Sequence, residues 1–206
     1  LLNTSGVVEV APLVALEGIN AIVNVGQLGS ETGHIVADML TGKSTPSGKL
    51  TATWAKVYAD YPSGATYGST DGNLDDEYYT EGIFIGYRYF DLFGVEPLYP
   101  FGHGLSYTSF SHQALSVRQE GNKVVINCLV ENTGQQFAGK ETVQLYLAKP
   151  ETVYNRTKHS LIAFGKTILL TPGQSQQLDV SFSIENLAVY DDINQAWVIE
   201  KGTYYL

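Results

Sequence analysis

From residue 107 to the end, this chain consists almost entirely of short apolar stretches that alternate with a period of two and stop at turn signals. The stretches are HQALSVRQ, KVVINCLVEN, ETVQLYLAKP, LIAFGKTILL, QSQQLDVSFSI, AVYDDINQAWVI and GTYYL; the breaks are EGN, NTGQQFAGK, TPGQ and EKG. A period of two sends every second side chain to the same face of an extended strand. Short strands repeated at this spacing leave little room for helix. They predict an antiparallel sandwich over residues 107–206, with Trp197 and Tyr146 among its core aromatics.

Such a sandwich has the immunoglobulin or fibronectin type III shape. The lone cysteine fits inside it, because Val124, Ile126, Cys128 and Val130 share one face of a strand. A small buried residue is expected there rather than a nucleophile, since no helix N-terminus or neighbouring cation would lower the thiol pKa.

Residues 1–58 follow a different rule. INAIVNVG (19–26) is a nearly continuous apolar run ending at glycine, as in a parallel strand buried on both faces. SETGHIVADMLTG (30–42) predicts a helix with Ser30 as cap, Glu31 in the first turn and Gly42 as the stop; Ile35, Val36, Met39 and Leu40 would form its inward stripe. LLN reads as the end of an earlier strand, APLVALEG as a short helix, and PSGKLTATW as a turn and a strand. Strand, helix, strand, helix, strand is the tail of a doubly wound α/β domain.

Residues 59–106 lie between the two patterns. The first part is rich in turn formers and is expected to be an exposed loop. The second part opens EGIFIGYRYFDLFGVEPLYPFGHGLSYTSF (81–110), in which nine of thirty residues are Phe or Tyr and five are Gly. Ile83, Ile85, Tyr87 and Tyr89 alternate with Phe84, Gly86, Arg88 and Phe90, which predicts a strand with two apolar or aromatic faces. Both faces would need cover, so this arm is expected to join two domains. Arg88 would then need a carboxylate or carbonyl partners. Glu81, Tyr87, Arg88 and His103 are the expected structural residues of the joint. An aromatic row left open could instead stack on sugar rings, as in a carbohydrate-binding or adhesion module.

Charge and motifs narrow the chemistry. A net charge of −9 repels phosphate backbones and anionic lipid, so neither nucleic acid nor membrane is an expected partner. ADMLTGKST (37–45) imitates a phosphate loop, but Ala37 replaces its first glycine and residues 37–40 belong to a helix. DGNLDDEYYTEG (71–82) imitates a calcium loop through Asp71, Asn73 and Asp75, yet Asp76 replaces the turn glycine and Glu81 arrives one residue early. Histidines 34, 103, 112 and 159 form no close pair, so no metal site is expected. GLSYT (104–108) lacks the second glycine of a nucleophile elbow. Asn3 and Asn155 begin glycosylation sequons. A glycosidase needs two carboxylates facing one bond, about 5–10 Å apart. Asp60, Asp71, Asp191 and Asp192 instead sit in loops and turns, so no catalytic residue is expected in this chain.

The same residues carry a resemblance. EGIFIGYRYFD and PLYPFGHGLSYTSF resemble the segment that joins the second and third domains of glycoside hydrolase family 3, the β-glucosidase and β-xylosidase type. LLNTSGVVEV, NVGQLGSETGHIVADMLTGKSTPSGKLTATW and YADYP resemble the end of that family's α/β sandwich domain. ETVQLYLAKP, LIAFGKTILLTPGQS and AWVIEKGTYYL resemble its fibronectin type III-like domain. VGQLGSETG departs from the commoner PGQEGG.

The resemblance implies a retaining hydrolase of β-glucosides or related β-glycosides that works through a covalent glycosyl-enzyme. It implies no metal and no organic cofactor. It also implies that the nucleophilic Asp lies in an N-terminal barrel against which this part packs, and that the acid/base Glu lies upstream in the α/β domain. Neither motif occurs here. With no initiator Met before LLNTSG and a strand-like end at GTYYL, the chain reads as an internal piece of a longer protein, inactive alone. Sugar specificity, compartment (cytoplasmic or secreted) and oligomeric state are left open.

Overall fold

The computed structural model describes residues 1–69, 72–149 and 157–206, so Asp71 and Asn155 fall outside the described residues. The chain divides into two compact units. Unit 1 is Leu1–Lys43 with Lys49–Gly104, and unit 2 is Ser44–Gly48 with Leu105–Leu206.

Unit 2 is the sandwich. Strands β1 (Phe110–Glu120), β2 (Lys123–Asn132) and β5 (Ser175–Ser183) form one antiparallel sheet in the order β1-β2-β5. Strands β3 (Thr142–Leu147) and β4 (Ser160–Lys166) form a second, and β6 (Val189–Asp191) and β7 (Ala196–Val198) a separate hairpin. The loop between β1 and β2 is Gly121-Asn122, with Gly121 at φ +59°, a left-handed conformation that a two-residue hairpin turn demands. Tyr205 pairs with Ala148 beyond the end of β3 through two hydrogen bonds of 2.9 Å.

The alternation of β2 places Ile126 and Cys128 inward with Phe182 of β5. Val143 and Leu145 from β3 and Ile162 and Ala163 from β4 close over them. Gly165 lets the two layers approach closely, because a Cβ there would lie 3.0 Å from Leu178. Cys128 is buried as its position in the alternation implies, and burial raises its thiol pKa, with the nearby Asp179 charge adding to the rise.

Unit 1 holds less regular structure. A single parallel bridge joins Leu2 to Asn24, with Leu2 N donating to Val23 O at 2.7 Å and Val25 N to Leu2 O at 2.9 Å. Helix α1 is the one turn Ala11–Val14, with proline at its start. Helix α2 spans Thr32–Leu40 and follows a 3₁₀ turn over Gly29–Glu31. Ser30 does not cap it; Thr32 Oγ1 turns back to Gly29 O at 2.6 Å, and the chain enters the helix through the tighter turn. Gly42, at φ +75°, ends it. Of the expected inward stripe, Met39 is buried and Val36 half-buried, while Ile35 and Leu40 face solvent. Among the described residues no helix is long and apolar enough to cross a membrane.

The arm departs from its expected strand. Residues Tyr87–Phe93 form helix α3, with Gly86 at φ +53° before it and Gly94 at φ +66° closing it. Alternating aromatics satisfy a helix as readily as a strand when a glycine stands at each end. Tyr89 and Phe93, one helical turn apart, bring their rings to 4.9 Å. The expected cover on both faces is also absent within unit 1, where Ile83, Ile85 and Phe93 are 46%, 52% and 57% exposed.

Trp197 is a second correction. It stands opposite Tyr190 on the β6–β7 hairpin, packs edge-on against that ring at 5.4 Å, and is 73% exposed. The hairpin lies outside both main sheets; Val189, Asp191 and Val198 are wholly or partly covered, while the face of Tyr190 and Trp197 is open. Tyr146 is half-buried and donates to Gln144 Oε1 at 2.7 Å.

Candidate functional site

One short antiparallel contact links residues 50–54 to residues 99–103 in unit 1. Trp54 N donates to Tyr99 O at 2.8 Å, Leu50 N to His103 O at 2.8 Å, and Gly102 N to Leu50 O at 2.8 Å. Lys49 Nζ caps the ladder by donating to Gly104 O at 2.9 Å. The segment EPLYPFGHG therefore runs along LTATW, with a turn at Pro100–His103 where His103 N donates to Pro100 O at 3.1 Å.

Aromatic rings pack onto this ladder. Tyr99 stacks on His103 at 5.0 Å, and Tyr87 meets Phe101 at 5.0 Å. Tyr61 packs edge-on against buried Phe90 at 5.9 Å; its hydroxyl donates to Thr53 O at 3.2 Å and accepts from Ala55 N at 3.0 Å. Each ring thus has a neighbouring ring or a fixed hydroxyl, which favours a rigid arrangement.

Tyr87 and His103 are brought into the same aromatic layer through neighbouring residues. The Arg88 guanidinium lies 5.9 Å from the Tyr87 ring centre. Its Nε is buried with no hydrogen-bond partner. Glu81 is half-buried before the helix, its backbone carbonyl accepting from Phe84 N at 3.0 Å, and among the described residues it forms no ion pair with Arg88.

The carboxylates weighed as possible catalysts have local structural work. Asp60 accepts from Val57 N at 3.3 Å and closes a 3₁₀ turn. Asp191 is buried and accepts from Ile193 N at 2.9 Å, Asn194 N at 3.1 Å and Asn194 Nδ2 at 2.7 Å, fixing the β6–β7 turn. Asp192 is exposed in that turn. In the acidic loop, Asn73 Oδ1 accepts from Asp75 N and Asp76 N, and Glu77 accepts from Gly68 N at 3.0 Å. Among the described residues no three His, Cys, Asp or Glu side chains converge as metal ligands would. Lys43, the apparent phosphate-loop lysine, pairs with Asp38 at 3.0 Å beyond the end of α2.

One organising residue escaped sequence reasoning. Asn132, 0% exposed, donates through Nδ2 to Phe137 O at 2.9 Å and Leu170 O at 2.8 Å, and accepts through Oδ1 from Gly134 N at 3.0 Å and Thr108 Oγ1 at 2.5 Å. A buried amide with every donor and acceptor engaged ties Thr108, the segment 132–137 and Leu170 of unit 2 together.

With that geometry established, comparison with known proteins places the chain. Residues 1–87 match the family profile described as glycosyl hydrolase family 3 C-terminal domain, and residues 141–206 match that described as fibronectin type III-like domain. The chain belongs to glycoside hydrolase family 3. Within the family it is 36% identical over its whole length to beta-glucosidase A of Butyrivibrio fibrisolvens, covering 27% of that protein. It superimposes with a TM-score of 0.82 on a beta-glucosidase of Paenibacillus barengoltzii, at 41% identity, covering 88% of this chain and 20% of that one. The beta-D-glucoside glucohydrolase of Trichoderma reesei gives a TM-score of 0.85 at 30% identity, over 97% of this chain and 30% of that one. The chain therefore spans between a fifth and a third of these family 3 relatives. The expected order, α/β elements followed by a fibronectin type III-like sandwich, is the order found in this member of the family.

Proposed function

We propose that this chain is the C-terminal, structural part of a retaining β-glycosidase that hydrolyses O-glycosidic bonds in β-glucosides or related β-linked oligosaccharides. The reacting carboxylates then reside in polypeptide outside the chain, including a barrel domain against which it packs. One observation carries this: the likeness to beta-glucosidases runs through both units, while the chain accounts for only 27% of a relative such as that of Butyrivibrio fibrisolvens. The local duties of Asp60 and Asp191 support the same division of labour. The test is turnover of an aryl β-glucoside. The 206-residue chain should show none and the upstream-extended gene product should show it; turnover by the chain alone would overturn the assignment.

A second function, carbohydrate binding by unit 2, is favoured by the exposed Trp197 beside Tyr190. Indole faces stack on sugar rings when they stay open to ligand. Calorimetry with cellobiose or a xylo-oligosaccharide separates the two. A structural part gives no heat, whereas a binding module gives heat that Trp197→Ala abolishes.

A further inference from the structure

The chain enters unit 2 twice. Ser44–Gly48 belong to it, although the residues on either side, Leu1–Lys43 and Lys49–Gly104, belong to unit 1. Both ends of this short segment are fixed. Before it, Thr41 N donates to Ala37 O and Gly42 N to Met39 O, each at 3.0 Å, closing α2; after it, Leu50 N donates to His103 O at 2.8 Å. Within STPSG, Pro46 locks its own φ and steers Thr45 away from helical backbone, so the segment has little freedom to lose when it docks.

Its seat lies where β1 begins, β3 is about to begin and β4 ends. Lys166, the last residue of β4, donates from Nζ to Ser47 O at 2.8 Å. Gly139 supplies the floor: a Cβ there would lie 2.8 Å from Thr108 Cγ2, 3.0 Å from Phe110 Cζ and 3.5 Å from Thr45 Cγ2. The missing side chain is what lets these three residues converge. Thr45, Pro46 and Ser47 are half-buried. Among the described residues no backbone–backbone hydrogen bond holds Ser44–Gly48, so the segment can lift without opening any strand ladder. Below the seat is the Asn132 amide. Thr108, which shares the Gly139 floor with Thr45, donates to Asn132 Oδ1, and that oxygen also accepts from Gly134 N at 3.0 Å. Such a network keeps its strength only while water is kept from its members.

We propose that Ser44–Gly48 is a releasable clasp of unit 2, latched by Lys166 and seated through Thr45 on Gly139, which shields the Thr108–Asn132 network from water. The clasp is part of the sandwich in space, although its residues fall in the stretch 1–87 that matches the C-terminal domain profile. A sandwich cut out at residue 107 would therefore lack its cover. The inference stands apart from the hydrolase reading, because both the clasp and its seat lie within this chain.

Two measurements on the 206-residue chain test this. One is the rate of tryptic cleavage after Lys43, which borders the clasp. The other is amide exchange, read by NMR, at Gly134, Gly139 and Leu170, whose N–H groups donate to Asn132 Oδ1, Leu170 O and Gly139 O around the seat. Thr45→Ala takes the methyl group off the Gly139 floor without touching a strand. Lys166→Met removes the latch and keeps the aliphatic stem. Each should raise both rates about three- to tenfold. Arg118→Met, which breaks an ion pair with Asp179 elsewhere in unit 2, should change neither. Faster cleavage with unchanged exchange would make the segment a passenger that seals nothing. A response in Lys166→Met but not in Thr45→Ala would belong to the end of β4 and overturn the clasp, as would no response in either variant.

Discussion

The two units solve the same problem differently. Unit 2 encloses a core between its sheets: Val130, Leu147, Leu170, Val180 and Phe182 are all nearly inaccessible, and Asn132 has its hydrogen-bonding capacity filled, while Val117, Phe164 and Trp197 face solvent. Unit 1 buries Val10, Met39, Trp54 and Phe90 but leaves Ile35, Leu40, Ile85 and Phe93 in water. Its arginine at position 88 is unpaired at Nε, whereas Arg118 of unit 2 holds two carboxylates. A sandwich with a sealed centre and an α/β segment with a thinner one teach that the first can be judged by its inner contacts more fully than the second.

The largest effect that could break this contrast comes from truncating one aliphatic residue in each unit. Ile126→Ala removes a fully enclosed side chain from between the two sheets and should cost about 2–5 kcal/mol. Ile85→Ala removes a half-exposed one and should cost under about 0.5 kcal/mol in the 206-residue chain. Urea unfolding of both variants checks the pair. Comparable losses would show that unit 1 has a core of its own and that the contrast is false.

How much of this was legible in the sequence follows the same division. The strands of unit 2 were readable because period-two alternation is local, and each run needed only its own register to place Ile126 and Cys128 inward. Helix α3 was misread because its aromatics alternate over 83–90; the usable signal was the pair Gly86 and Gly94, which punctuate a seven-residue helix. Trp197 was misplaced because alternation says which residues share a face but not whether a second layer covers it. Asn132 was invisible for a different reason. Its partners are residues 108, 134, 137 and 170, and no local pattern announces a convergence over such separations. Tyr87, Arg88 and His103 were singled out from composition and motif, but the missing hydrogen-bond partner of Arg88 Nε required coordinates.

Asn132 gives the next effect in size and sharpens the claim that unit 2 is internally complete. Asn132→Ala leaves the carbonyl of Phe137 and the amide of Gly134 without their partner and removes one of two hydrogen bonds to Leu170 O, which keeps Gly139 N. Buried groups stranded in this way should together cost about 2–3 kcal/mol. Asn132→Asp should be no better, since a carboxylate cannot donate to the two carbonyls. Thermal unfolding of the two variants, read against wild type, measures this. A loss below about 0.5 kcal/mol in the alanine variant would mean that water reaches the site and that unit 2 is less sealed than its core implies.

The smallest effect separates satisfied charges from structural ones. Asp179 sits on the outer face of β5, where hydrogen bonds from Arg118 and then Asn127 hold its carboxyl below the ordinary aspartate value of 3.8. A depressed folded-state pKa contributes stability that is complete above 3.8, where both folded and unfolded chains are ionised. As pH falls below that value the unfolded chain takes up a proton that the folded one still refuses, so stability declines until the folded carboxyl protonates too. The pair is open to solvent, and Debye screening shortens its reach to about 8 Å at physiological salt. Asp179→Asn should therefore change unfolding little at neutral pH, flatten the acid limb slightly, and lose even that difference in about 1 M salt. A large, salt-resistant loss at neutral pH would show that the outer face of the β1-β2-β5 sheet is covered like its inner one. Unit 2 would then have a second buried layer that its own strands do not supply.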